Sequence, residues 1–233
     1  YVNQKLSVKL DLPKNRETIL DLFERVRREH PMMEHFKRYK EELALESSPG
    51  AFPHRWLAIK NNTVRAGEVN GESFRAAYDF HRRMLEIVPF YLSVSPLDID
   101  TLELLYGFDL ASGANHDAIV CEALFGGSPF ARIAEAPNAT PSDCQPVMGL
   151  NLGNSTQAIV EVKTRSGSRS EAEGSPDPIS VYLTLRRRGP VRELKDVVEN
   201  LSHLIAHGEE MLRSHLLPHV IQPLRRAIVS GGS

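Results

Sequence analysis

Two histidines near the C terminus have the spacing of a metal site. His203 and His207 are four residues apart in a segment with helical periodicity, so a continuous helix would project both imidazoles from one side. Glu199 lies one turn before the pair and Glu210 about one turn after it. Imidazole nitrogens and carboxylates are ligands of zinc and similar divalent ions. The pattern is compatible with a divalent metal site, but it supplies no third ligand, and surface histidines beside an apolar stripe explain it more simply.

A second cluster follows a predicted strand. Asn115, His116 and Asp117 come after a Ser-Gly-Ala turn, where a strand gives way to a helix. A histidine oriented by an aspartate could act as a general base, with Ser112 as its nucleophile. Asn and Asp at a helix start are also ordinary capping residues, and this is the simpler interpretation.

Three consecutive arginines form the third candidate. Arg186, Arg187 and Arg188 end a predicted strand, and Arg186 and Arg188 could bind a phosphate or a carboxylate. A charged strand end that prevents mispairing at a sheet edge explains them at least as well.

Composition narrows the class of protein. The 233 residues are 41% hydrophobic and 25% charged, which is typical of a globular chain. Lys and Arg total 28 against 30 Asp and Glu, and the net charge of -2 disfavours nucleic acid as a partner. Cys121 and Cys144 match no zinc spacing. The chain has no apolar run long enough for a membrane span and no signal-peptide pattern at residues 1–12, so we expect a cytoplasmic protein with reduced thiols.

Period-two alternation predicts the strands. In the clearest example, Leu102, Leu104, Tyr106, Phe108 and Leu110 alternate with Thr101, Glu103, Leu105, Gly107 and Asp109. Asn61 and Asn62 predict a hairpin turn, because asparagine tolerates left-handed backbone geometry. The predicted strands are 4–12, two within 55–69, 101–110, 147–152, 157–165 and 179–188.

Apolar residues three and four apart predict the helices. We expect one helix from Asn15 to about residue 30 and a second from Pro31, with Met32, Phe36, Tyr39 and Leu43 on one face. The remaining predicted helices are 71–88 ending at Pro89, 116–125, a long C-terminal helix started by Pro190, and 209–229 broken or kinked by Pro218 and Pro223.

Hairpins mixed with irregularly placed helices indicate an α+β fold. We predict one domain over residues 1–233, with an antiparallel or mixed sheet of about seven strands, amphipathic helices on one face and the long C-terminal helix. Residues 126–146 are rich in Pro, Gly and Ser and predict an irregular connection. Residues 166–178 have almost no apolar content and predict a disordered loop.

The function that this pattern favours is a non-enzymatic binding or assembly module. The chain has no glycine-rich phosphate loop and no G-x-S-x-G motif, and it has more apolar helix stripes than one sheet face covers. We therefore expect a protein partner, and the first candidate is a second copy of this chain. One alternative is a small-ligand protein or enzyme with a cavity between the sheet and residues 190–206. Another is a metal-dependent hydrolase that uses His203 and His207.

Overall fold

The computed structural model describes residues 1–164, 177–189 and 191–230. Its fold is α+β, as predicted, and is built on one antiparallel sheet of nine strands. The strands are β1 (Val2–Val8), β2 (Met33–Arg38), β3 (Leu43–Ser47), β4 (His54–Lys60), β5 (Thr63–Val69), β6 (Ile99–Ala111), β7 (Val147–Gly153), β8 (Thr156–Lys163) and β9 (Pro178–Arg188). Their order across the sheet is β2-β3-β4-β5-β1-β6-β9-β8-β7, which makes β2 and β7 the outer strands.

Within the described residues, five α-helices accompany the sheet. They are α1 (Arg16–Glu29), α2 (Phe74–Tyr91), α3 (His116–Phe125), α4 (Lys195–Met211) and α5 (Gln222–Ser230). A π-helical segment, Leu212–Ile221, connects α4 with α5 and makes one long C-terminal helix. Among the described residues, no helix has the length and apolar character to cross a membrane.

The predicted second helix is wrong, because residues 33–47 form the hairpin of β2 and β3. Met32, Phe36 and Tyr39 have helical spacing, but their side chains are exposed. The core instead receives Met33 and, from β3, Leu45. Pairing of β3 with β4 satisfies its backbone and buries Leu45 beside Leu57, which a helix could not do. These two strands account for nine strands where about seven were expected.

Prolines interrupt the helices less than the sequence predicts. Pro89 lies inside α2, which continues to Tyr91. Pro218 lies in the π-helical segment, where the hydrogen-bond pattern changes but the helix does not end. Pro223 is the second residue of α5, and the helix likewise continues through it, to Ser230. The long helix starts at Lys195, and Pro190 lies outside the described residues.

The chain divides into two compact units, so that β6 to β9 and α4 each contribute residues to both. Unit 1 comprises Tyr1–Tyr106, Asn151–Ala158 and Thr184–His207; unit 2 comprises Gly107–Leu150, Ile159–Leu183 and Gly208–Ser233.

In unit 1, α2 packs on β1 and β5 and beside α1. Helix α1 buries the stripe that its sequence predicts, which includes Leu22 and Val26. The hairpin of β4 and β5 turns at Asn61, whose φ of 46° is left-handed, as the asparagine pair predicts.

In unit 2, α3 packs against α5. Val120 of α3 and Leu224 of α5 are completely buried. Residues 126–146 contain only a short 3-10 turn, Pro129–Ile133, in agreement with the predicted irregular connection. The predicted disordered loop, 166–178, falls outside the described residues except for Asp177 and Pro178.

Two neighbouring methionines test whether residues 33–38 form a strand. Met33 is 0% exposed and Met32 is 61% exposed. We expect Met33→Ala to lower the free energy of unfolding by about 2 to 5 kcal/mol, because it leaves a cavity in the core. Met32→Ala should change it by less than about 0.5 kcal/mol. Urea unfolding measures both, and equal effects would contradict this strand.

Candidate functional site

The side chains at the start of α3 are engaged in holding the chain. Asn115 caps the helix by accepting from the N–H groups of Asp117 and Ala118, at 3.0 and 3.1 Å. His116 is buried, and its Nε2 lies 3.0 Å from the main-chain oxygen of Ser112. The serine hydroxyl that a nucleophilic mechanism would require is instead 3.3 Å from the N–H of Ala114, from which it accepts.

Asp117 is the buried anchor of this region. Its Oδ1 accepts from the N–H of Cys144 at 2.9 Å and from the hydroxyl of Thr164 at 2.6 Å. These bonds tie the end of the irregular connection and the residue after β8 to α3. The geometry supports a structural role for the catalytic residues that the sequence suggested.

Cys121 follows Asp117 by one helical turn and approaches Cys144. Both cysteines are free thiols. Burial, together with the neighbouring Cys121, raises the pKa of Cys144 to about 11. Cys144 is therefore protonated at neutral pH and is a poor nucleophile.

The C-terminal histidines lie on the surface. His203 and His207 are both exposed, and Oε1 of Glu199 lies 3.8 Å from Nε2 of His203. No group of three or more metal-binding side chains occurs in the described part of the chain. The divalent metal site stays a prediction with two of its ligands named.

One of the two candidate arginines of β9 is already paired, and a phosphate or carboxylate site there stays a prediction. Arg186 donates from Nε to Glu103 at 2.6 Å, and Lys5 lies 3.6 Å from the same carboxylate. Arg188 is exposed at the strand end. Arg186 is thus already paired with a carboxylate of the sheet, which leaves less of its charge for a ligand.

A buried ion pair in unit 1 was missed at the sequence level. Arg55 on β4 and Glu68 on β5 are cross-strand partners, and Arg55 Nε donates to Glu68 Oε2 at 2.6 Å. Glu68 is only 2% exposed. The guanidinium also lies 5.2 Å from the centre of the Phe80 ring on α2, a cation–π distance.

Two neutral imidazoles surround this pair. Arg55 Nη1 lies 3.5 Å from Nδ1 of His30, the residue that ends α1. Burial lowers the pKa of His30, and the charge of Arg55 lowers it further. His81 on α2 donates from Nε2 to the carbonyl of Val2, 3.2 Å away, and burial lowers its pKa to about 4. At neutral pH the cluster has no net charge.

The cluster around Arg55 and Glu68 connects secondary-structure elements and has no arrangement of groups that suggests catalysis. Arg55 and Glu68 join β4 to β5, and Arg55 also contacts His30 at the end of α1 and Phe80 on α2. His81 joins α2 to β1 through the Val2 carbonyl. His30 and Arg55 line a cavity of about 270 Å³, and Glu68 lines another of about 340 Å³. With both charges already neutralised by each other, we interpret the cluster as structural.

The outer strand β7 is the more unusual surface. Its sequence, VMGLNLG, contains no charged residue and no proline. Val147 and Met148 are each 61% exposed and Leu150 is 39% exposed, although all three are apolar. An exposed apolar outer strand readily pairs with another strand.

The opposite outer strand is protected in the usual way. In β2, Glu34, His35, Lys37 and Arg38 supply charge, and the pairing shifts register between Met33 and His35. Charged side chains and bulges both discourage pairing at a sheet edge. The two ends of the sheet therefore differ in kind, and β7 is the candidate functional site.

Comparisons with protein-family models, curated proteins and solved structures found no match. The candidate site stands on its own geometry.

Glu68→Gln tests the buried ion pair. The substitution keeps the shape of the side chain but leaves the Arg55 cation without its counter-charge in the interior. We expect the free energy of unfolding to fall by about 3 to 5 kcal/mol in urea unfolding. The control, Glu72→Gln at an exposed position, should change it by less than about 0.5 kcal/mol. Equal effects would contradict the role of the pair.

The lowered pKa of His81 should make the free energy of unfolding depend on pH. This pKa is about 4 in the folded chain, against the ordinary 6.5. Below pH 6.5 the unfolded chain binds a proton that the folded chain does not, so stability is lost as the pH falls towards 4.

His81→Gln removes this titration. Between pH 7 and pH 4.5 the wild type should lose about 2 to 3 kcal/mol more stability than the variant. Other titrating groups occur in both proteins and cancel in the difference. Urea unfolding at the two pH values gives the comparison, and an unchanged difference would show that His81 is protonated normally.

Proposed function

We propose that the protein assembles with a second copy of itself by antiparallel pairing of β7 with β7. The observation that carries the proposal is an exposed outer strand that is apolar and uncharged, on a sheet whose other outer strand is charged. The proposal assigns the assembly function expected from the sequence to one surface, the outer strand β7.

The backbone of β7 has groups available for such pairing. The N–H of Val162 donates to the carbonyl of Pro146 at 3.0 Å, so residue 146 points towards β8. In an antiparallel strand the backbone groups of successive residues point to opposite sides. Continued alternation turns the N–H and C=O groups of Val147, Gly149 and Asn151 away from β8, towards an incoming strand.

The side chains of β7 are self-complementary. Met148, Leu150 and Leu152 are two residues apart, so they project from one face of the strand. An antiparallel pair centred on Leu150 places Leu150 opposite its own copy and Met148 opposite Leu152. These are the pairs without mutual hydrogen bonds, in which side chains approach most closely. Apolar groups therefore meet apolar groups along the junction.

Symmetry favours a closed dimer over a filament. Pairing of β7 with its own copy uses the same surface on both molecules and consumes it. The remaining outer strand, β2, has the charges that discourage further addition. A single strand pair buries little area, so we expect a weak, concentration-dependent dimer in the micromolar range.

Leu150 provides a charge-exchange test, because the proposed axis places it opposite itself. Leu150→Lys and Leu150→Glu should each be monomeric at concentrations where the wild type dimerises, since like charges directly opposite are destabilising. An equimolar mixture of the two variants should recover dimers, because opposite charges then meet. Sedimentation velocity measures all three samples.

The control variant is Leu97→Lys, which charges another exposed leucine away from β7 and should dimerise like the wild type. A wild type that stays monomeric at high concentration would remove the proposal. Dimers that persist in both single variants would place the contact elsewhere on the surface.

A further inference from the structure

A cavity lies in unit 1, among residues 14–61. It has a volume of about 520 Å³, within the usual range for small-molecule sites. Helix α1, the hairpin of β2 and β3, and the end of β4 all contribute lining residues.

The floor of this cavity is apolar. Ile19 of α1 and Ile59 of β4 are almost fully buried, while Leu20 and Phe36 are exposed beside them. Phe36 packs edge-on against Phe23 of α1, with ring centres 5.5 Å apart, which fixes its ring over the cavity wall. No hydrogen-bonding side-chain group belongs to these floor residues.

The rim is positively charged. Lys14, Arg16, Arg38 and Lys40 line the cavity, and all four are exposed. Within the described part of the chain, Arg16, Arg38 and Lys40 have no ion pair, whereas Lys14 donates to the side chain of Asn61 at 2.9 Å.

The two acidic rim residues do not cancel this charge. Glu41 lies 3.1 Å from Lys60, and Glu42 is paired with Arg65. Neither Lys60 nor Arg65 lines this cavity, so both carboxylates are neutralised from outside it. An incoming anion therefore meets three unpaired cations above an apolar floor.

We propose that this cavity binds a small amphipathic anion, specifically a monomeric fatty acid. Its hydrocarbon chain lies on Ile19, Leu20, Phe36 and Ile59, and its carboxylate meets Arg38 and Lys40. Arginine and lysine bind carboxylates by charge-assisted hydrogen bonds. A nucleotide fits less well, because the floor offers a base no hydrogen-bond partners. The two polar neutral lining residues, Tyr39 and Asn61, are already bonded to Glu46 and Lys14. This site is separate from β7 and does not depend on dimer formation.

Binding of dodecanoate below its micellar concentration tests the site. Isothermal titration calorimetry of the wild type should show saturable binding of one dodecanoate per chain. Decanoate should bind more weakly, by up to about fourfold for each methylene lost. Dodecyltrimethylammonium, with the same chain and the opposite charge, should show no saturable binding.

A matched pair of variants localises the ligand. Arg38→Gln with Lys40→Gln should weaken dodecanoate binding at least tenfold. Arg27→Gln with Arg28→Gln removes the same charge from the last turn of α1, outside the cavity lining, and should bind like the wild type. Circular dichroism confirms that both variants are folded.

Three results would overturn the proposal. The first is no saturable binding of dodecanoate to the wild type. The second is equal affinity in the two double variants, which would assign binding to overall charge. The third is binding to vesicles of anionic phospholipid without binding of monomeric dodecanoate, which would make the rim a membrane-contact surface.

Discussion

Backbone hydrogen bonding at the two outer strands of the sheet is the constraint that governs the proposed assembly. An open sheet leaves N–H and C=O groups without strand partners along both outer strands, and a protein must protect or use them. At β2 the chain places charged residues and a register shift. At β7 it places Val, Met, Leu, Gly and Asn, with no charge at all. Each strand-to-strand hydrogen bond adds only about 1 kcal/mol net, so an outer strand of this length supports a reversible contact.

In the interior of unit 1 the main constraint is the burial of charge. The pair of Arg55 and Glu68 removes two charges from water, and such burial is favourable only when each charge has a close partner. The cation–π contact with Phe80 and the neutral His30 complete the surroundings of the guanidinium. The pair holds the hairpin of β4 and β5 against both helices. Ile59, near the end of the same strand β4, forms part of the floor of the cationic cavity.

Local sequence patterns predicted most of the helices and strands. They could not predict which distant segments pair with one another. The hairpin at Asn61 and Asn62 was correct, and its register already places residue 55 opposite residue 68, so the buried ion pair was readable in principle. The apolar spacing of Met32, Phe36 and Tyr39 suits a helix, yet the pairing of β2 with β3, and of β3 with β4, decides the structure there. Strand 147–152 was predicted, but its outer position depends on the order of nine strands, which no local pattern contains. The catalytic interpretation of Asn115, His116 and Asp117 required their partners, Cys144 and Thr164, which are distant in sequence.

Hydrogen exchange at β7 is a direct test of pairing between two copies of this strand. The backbone amides of Val147, Gly149 and Asn151 should exchange rapidly in dilute protein and slowly in concentrated protein, because they become bonded only in the dimer. The amides of Met148 and Leu150 point towards β8 and should change little. Exchange that stays rapid at Val147, Gly149 and Asn151 at every concentration would contradict pairing through this strand.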